Sequence, residues 1–136
     1  MHSTVIVRIS AAVGMLLGVL SMAAGGRVLA GIDRPDYVVL PWLVVYNVAA
    51  GAVGVIVALA VWQLRTRATG LARAVAAAHG AVLAVLITLC AAGSPVAADS
   101  VVAMLVRTVV WAWIALAAGR SRLARARAAG STRSVP

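Results

Sequence analysis

Four uncharged, apolar runs divide this chain, and charged or turn-forming residues separate them. Residues 9–26 carry no charge, and Val5–Val7 extend that run back across Arg8. No residue between Asp36 and Arg65 is charged, and Val38–Trp62 is the strongest apolar stretch. The chain is uncharged again from Arg73 to Asp99, and a last run is interrupted by Arg107. A hydrocarbon core about 30 Å thick needs about 20 helical residues at about 1.5 Å each. The pattern therefore predicts membrane-spanning helices over 5–26, 38–62, 72–92 and 100–119, followed by a basic tail, 120–136. No run shows the period-two alternation of an outer-membrane barrel strand.

The three connections hold the punctuation: Gly25-Gly26 to Asp36, Arg65 to Gly70, and Gly93-Ser94-Pro95 to Asp99. Links this short make consecutive helices antiparallel. The expected fold is all-α, a polytopic membrane protein with one antiparallel four-transmembrane-helix bundle over 1–119. Residues 1–30 also admit a secretory leader, with an apolar core from Ile9 to Ala24 and a Val28-Leu29-Ala30 triplet. Against it stand a weak basic n-region and a core longer than the usual stretch of about 7–15 residues. Cleavage would leave three spans in the same orientation.

Composition sharpens this picture. The chain is 64% hydrophobic and 11% charged, against roughly a quarter charged in a soluble domain. It has no Glu, Lys or Phe; its twelve basic residues are all Arg, against three Asp. The bias toward Ala, Val, Gly and Arg fits a GC-rich bacterial genome. A net charge of +9 would point to nucleic acid in a soluble protein. Here the arginines flank apolar runs, so they read as topology signals and no nucleic-acid partner is expected. Arg65, Arg67 and Arg73 flank the second connection, and Arg120, Arg122, Arg125, Arg127 and Arg133 follow the last span. The other two connections hold Arg27 and Arg34 together with Asp33, Asp36 and Asp99. The positive-inside rule then places both termini and the 65–73 loop in the cytoplasm of a bacterial inner membrane. Arg65, Arg67, Arg73, Arg120, Arg122 and Arg125 are the expected contacts to anionic lipid. Trp42, Trp62 and Tyr37 suit interfacial anchoring.

Few polar groups fall at membrane depth, and any site must be built from them. Arg107 lies about eight residues inside its span, roughly 12 Å down the axis. An Arg at the bilayer centre costs about 2.5–3.5 kcal/mol. It must therefore snorkel, pair with Asp33, Asp36 or Asp99, or face the bundle interior. Asn47 sits at similar depth and can accept from a guanidinium; His79 enters from the opposite side. Asn47, His79 and Arg107 are the candidate intramembrane polar cluster. Tyr46 and Thr108 adjoin it in sequence but point elsewhere on their helices, and Thr88 is expected to bond its own backbone. Small residues recur every fourth position at Ser10-Gly14-Gly18, at Ala50-Gly54-Ala58, and from Ala72 through Ala76, Gly80, Ala84 and Thr88 to Ala92. Such stripes let helix backbones approach closely.

Catalytic chemistry is hard to assemble from these residues. No carboxylate pair can form within the membrane, and His79 and Cys90 stand roughly 16 Å apart along one helix, too far to share an ion. Haem ligation by two histidines lacks a second buried His. Cys90, the only cysteine, has no basic neighbour to activate it. Neither an enzyme nor a cofactor is expected. Small multidrug exporters need a membrane Glu, which this chain lacks, and fluoride channels need Phe residues that are also missing.

Leu40-Pro41-Trp42-Leu43 with Tyr46-Asn47 and Gly51, then Met104-Leu105-Val106-Arg107-Thr108 with Trp111, resembles short four-span bacterial inner-membrane proteins of uncharacterised function. The likeness is best over the second and fourth spans. It implies the four-span fold and a paired Asn47 and Arg107, and brings no activity with it. The expected role is a non-catalytic accessory or assembly subunit of a bacterial membrane complex. The alternative is a small oligomeric ion or solute transporter using the embedded Arg107. The partners expected are the lipid bilayer and either another membrane protein or further copies of the chain.

Overall fold

A computed structural model describes residues 2–34 and 38–131, with side chains from Thr4 to Arg34 and from Val38 to Ala129. Its elements are α1 (His2–Leu29), α2 (Pro41–Trp62), α3 (Ala68–Ala91) and α4 (Ala98–Ser131), with no strand among the described residues. Each helix contains a segment long and apolar enough to cross a membrane, with mean hydropathy between 2.1 and 2.3. The chain is a multi-pass helical membrane protein.

The helix ends do not coincide with the spans expected from sequence. Pro41 fixes the start of α2, leaving Leu40 extended at φ −88°, ψ 106°, so residues 38–40 lie outside the helix. Gly25 and Gly26 do not end α1, which runs on to Leu29. α3 begins before Gly70, and α4 absorbs most of the basic tail. Tyr37, Asp36 and Arg133 lie outside the described residues.

All three connections open with the same closure. After α1, the Gly31 amide donates to the Val28 carbonyl and the Ile32 amide to that of Arg27. After α3, Gly93 and Ser94 donate in the same way to Cys90 and Leu89. These are Schellman ends, and their left-handed residues are Gly31 (φ 70°) and Gly93 (φ 78°). The end of α2 repeats the pattern with Leu64 and Arg65, but here a leucine takes the left-handed position, at φ 56°. That conformation costs about 1–2 kcal/mol for a residue with a Cβ. Packing of the Leu64 side chain against the main apolar core offsets the cost.

Packing is antiparallel around the bundle, with α1 closest to α2 and α3 closest to α4. α1 and α2 meet at a pair of glycines. A Cβ on Gly18 would lie 2.6 Å from the Gly51 carbonyl, and one on Gly51 2.7 Å from the Gly18 carbonyl. The Trp111 ring of α4 lies over Gly54 and Gly14, where a Cβ would meet it at 3.0 and 3.7 Å. Gly25 similarly makes room for Val48, which explains its place inside a helix. Thus Ser10, Gly14, Gly18, Gly54 and Ala58 are all buried.

The stripe on α3 behaves differently. Ala72 is buried and Ala76 and Gly80 are half-buried, but Ala84, Thr88 and Ala92 are exposed. Steps of four residues advance the face by about 40° each, so five steps carry a stripe about 200° around the helix. The buried face of α3 instead follows Ala68, Ala72, Val75, His79 and Leu86, a mixture of three-, four- and seven-residue steps.

The apolar interior has two parts. A large cluster at the arginine-rich end includes Val7, Ala11, Val57, Val61, Ala72, Trp111 and Ile114. A smaller one toward the opposite, aspartate end contains Leu43, Leu86 and Met104. The polar residues lie between them.

Candidate functional site: an intramembrane polar layer

Three helices deliver the layer. Arg107 lies nine residues into α4 and Asn47 six into α2, roughly 14 and 9 Å from helix ends on the same side. Arg107 Nη1 donates to Asn47 Oδ1 at 3.0 Å across the bundle diagonal. The arginine therefore faces the interior. The alternative of pairing with Asp33 or Asp99 is not seen: among the described residues the one ion pair joins Arg27 and Asp33 at 2.7 Å. Asp36 lies outside those residues. The partner of the embedded cation is a neutral amide, and both side chains are half-buried.

His79 is 3% exposed, on the buried face of α3. Its Nδ1 lies 3.0 Å from the Val75 carbonyl and 3.1 Å from the Tyr46 hydroxyl. Protonated at Nδ1, the ring donates to the Val75 carbonyl; bare at Nδ1, it accepts from the Tyr46 hydroxyl. The Tyr46 ring stands edge-on to the imidazole, with centroids 5.7 Å apart. Tyr46 does point away from Asn47, toward α3 rather than α4. Yet it joins the polar layer through His79, a link that helix-wheel reasoning on one helix cannot reveal.

Asn47, His79 and Arg107 line one internal void of about 10 Å³, together with Ser21, Gly51, Gly54 and Trp111. That is about the space of a single water. Sequence reasoning missed Ser21, whose hydroxyl donates to the Leu17 carbonyl at 2.8 Å, leaving its oxygen lone pairs for the void. From Arg107 and Asn47 a cleft of about 240 Å³ leads past Ser21 toward Asp99 and Ser100. Trp111 borders the layer toward the arginine-rich end, and the cleft continues from it toward the aspartate end. Thr88 and Thr108 bond the carbonyls of Ala84 and Met104, at 2.9 and 2.8 Å, and contribute nothing to the void. No group of three metal-ligating side chains occurs among the described residues.

Cys90 is exposed. Trp42 and Trp62 are both exposed, and Arg8 lies over the Trp62 ring at 5.8 Å. Of the arginines expected at lipid, Arg65, Arg67, Arg73, Arg120, Arg122 and Arg125 are all exposed.

Fold and site together define a class: a polytopic helical membrane protein with a half-buried guanidinium held by a neutral amide. Comparison with protein-family models, curated proteins and solved structures finds no match.

Proposed function

We propose that this chain is a non-catalytic accessory or assembly subunit of a bacterial inner-membrane complex, with both termini in the cytoplasm. The observation that carries the reading is the outward face of α3. Gly70, Ala74, Ala77, Ala78, Ala81, Ala84 and Thr88 are exposed along it, with Val85 among them and the exposed Leu71 and Ile87 toward its two edges. The other helices present large side chains outward: Val5, Ile9, Leu16 and Leu20 on α1, Val45, Val53 and Ile56 on α2, Leu105, Val109 and Leu116 on α4. Leu, Ile and Val suit lipid chains, whereas Ala and Gly let a second helix approach closely. A partner helix seated on α3 completes packing that the bundle itself leaves open. The orientation rests on the arginines, which crowd the 65–73 turn and the end of α4 while the aspartates lie at the other end.

The test is purification of the tagged full-length chain from its host in mild detergent. A stoichiometric membrane partner is expected, lost in Ala77→Leu/Ala81→Leu/Ala84→Leu while the melting temperature of the bundle is unchanged. A lone monomer that the triple variant replaces fully in the host would end this reading. A reporter fused to the C-terminus should be active only in the cytoplasm.

A second reading is favoured by one specific observation, the cleft that ends on Arg107 from the aspartate side. It is a small oligomeric ion or solute transporter in which the guanidinium attracts an anion. Arg107-dependent flux in liposomes by a homo-oligomer would support it over the subunit reading.

A further inference from the structure

At the arginine-rich end, α1, the α2–α3 turn and α4 enclose a pocket of about 440 Å³, independent of the polar layer and of the α3 face. Its floor is largely apolar, formed by Val7, Val61 and Ala118 of the main core, with the buried Thr69 and Ser121 beside them. Its exposed rim is polar and cationic: Arg65, Arg122 and Arg125, with Thr66. Arg122 and Arg125 project from one face of α4, three residues apart, while Arg120 and Arg127 lie on the opposite face. Arg122 Nη1 donates to the Thr66 carbonyl at 3.3 Å, which ties α4 to the turn, and Arg65 Nε donates to Gln63 Oε1 at 2.8 Å. Both partners are neutral.

Charge balance decides what this pocket lacks. The chain has three acids: Asp33 and Asp36 belong to the first connection and Asp99 to the first turn of α4, all at the far end of the bundle by sequence. There Arg27 has its carboxylate in Asp33. Here three guanidiniums converge with no carboxylate in the lining. A planar guanidinium presents a fork of N–H donors matched to phosphate oxygens. The pocket lies where apolar helix surface gives way to the arginine cluster, so its two halves meet an amphipathic molecule in the right order. We propose that it binds an anionic phospholipid, with the phosphodiester on Arg65, Arg122 and Arg125 and the upper acyl chain on the Val7–Val61 floor. The apolar floor favours a lipid over a soluble phosphate compound, and the excess of positive charge favours an anionic over a zwitterionic headgroup.

The test uses the full-length chain, delipidated in an uncharged maltoside detergent, titrated with short-chain phosphatidylglycerol, phosphatidylcholine or inorganic phosphate. Native mass spectrometry and the melting temperature report binding. Saturable binding of phosphatidylglycerol alone is expected. R122Q/R125Q should weaken it about tenfold or more, as the loss of charge-assisted hydrogen bonds to a phosphate does. R120Q/R127Q, which removes the same charge from the same helix, should leave it within about twofold. Equal losses in both pairs would mean diffuse attraction and overturn the proposal. Inorganic phosphate displacing the lipid at equal concentration would overturn it in favour of a soluble ligand. Should R122Q/R125Q fail to fold, Ala126→Trp fills the pocket with every charge in place, and unchanged lipid affinity in that variant overturns the proposal equally.

Discussion

The bond between Arg107 and Asn47 can be weighed by a double-mutant cycle. Asn47→Ala removes the one acceptor that Arg107 Nη1 has at 3.0 Å. A hydrogen bond to a charged group contributes about 1.5–3 kcal/mol in a water-soluble protein. Interhelical polar bonds in membranes average only about 0.6 and reach about 1.7 kcal/mol. Two features of the structure place this bond between those two figures. The acceptor is neutral, so no ion pair is broken, and the cleft of about 240 Å³ lets water reach the vacated position. The expected cost of Asn47→Ala is therefore about 1–1.5 kcal/mol. Arg107→Met removes the desolvated charge and should be neutral or stabilising, by up to about 2 kcal/mol. In the Arg107→Met background, Asn47→Ala should cost under about 0.5 kcal/mol, since only an amide in a small void is lost. Reversible unfolding in mixed micelles, followed by tryptophan fluorescence, measures all four corners. Trp111 lines the same void and reports locally. A coupling energy below about 0.3 kcal/mol, within the additivity expected of independent sites, would refute the view that this bond organises the layer.

Three further outcomes follow from geometry elsewhere in the bundle. Gly18→Ala and Gly51→Ala each drive a Cβ into a backbone carbonyl and should cost about 1–3 kcal/mol by the same unfolding assay, while Gly70→Ala, with open space around it, should be neutral or slightly stabilising. At Leu64, Leu64→Gly relieves the left-handed strain as it loses packing, so it should be less destabilising than Leu64→Ala, by about 1 kcal/mol. If the two variants melt together, the strain is not felt. The hydrogen bonds from Arg27 hold the Asp33 carboxyl below its usual range. That contact therefore supports the end of α1 above the ordinary carboxylate range and is lost only as pH falls through the lowered value. Carbon-detected NMR should show the Asp33 midpoint move upward in Arg27→Gln.

Helix number, antiparallel order and approximate lengths could be read from the amino-acid order alone. Those properties follow from local quantities: the length of uncharged runs against bilayer thickness and the shortness of the links. The amino-acid order also marked Asn47, His79 and Arg107, because polar groups at membrane depth stand out against an apolar background. What the sequence could not determine was the pairing. Three aspartates were available to Arg107 by charge, and the choice of Asn47 depended on the azimuth of two helices that make almost no backbone contact. The turn of α2 alone points Tyr46 away from Asn47; only the position of α3 brings His79 to its hydroxyl. Four-residue stripes were equally ambiguous. The glycines of α1 and α2 became contacts, whereas the longest stripe, on α3, wound out of the bundle. In lipid every helix face is apolar, so hydropathy carries little information about which face turns inward. That selection is made by shape, by close backbone approach and by the few buried hydrogen bonds, all of which exist only once the helices are side by side.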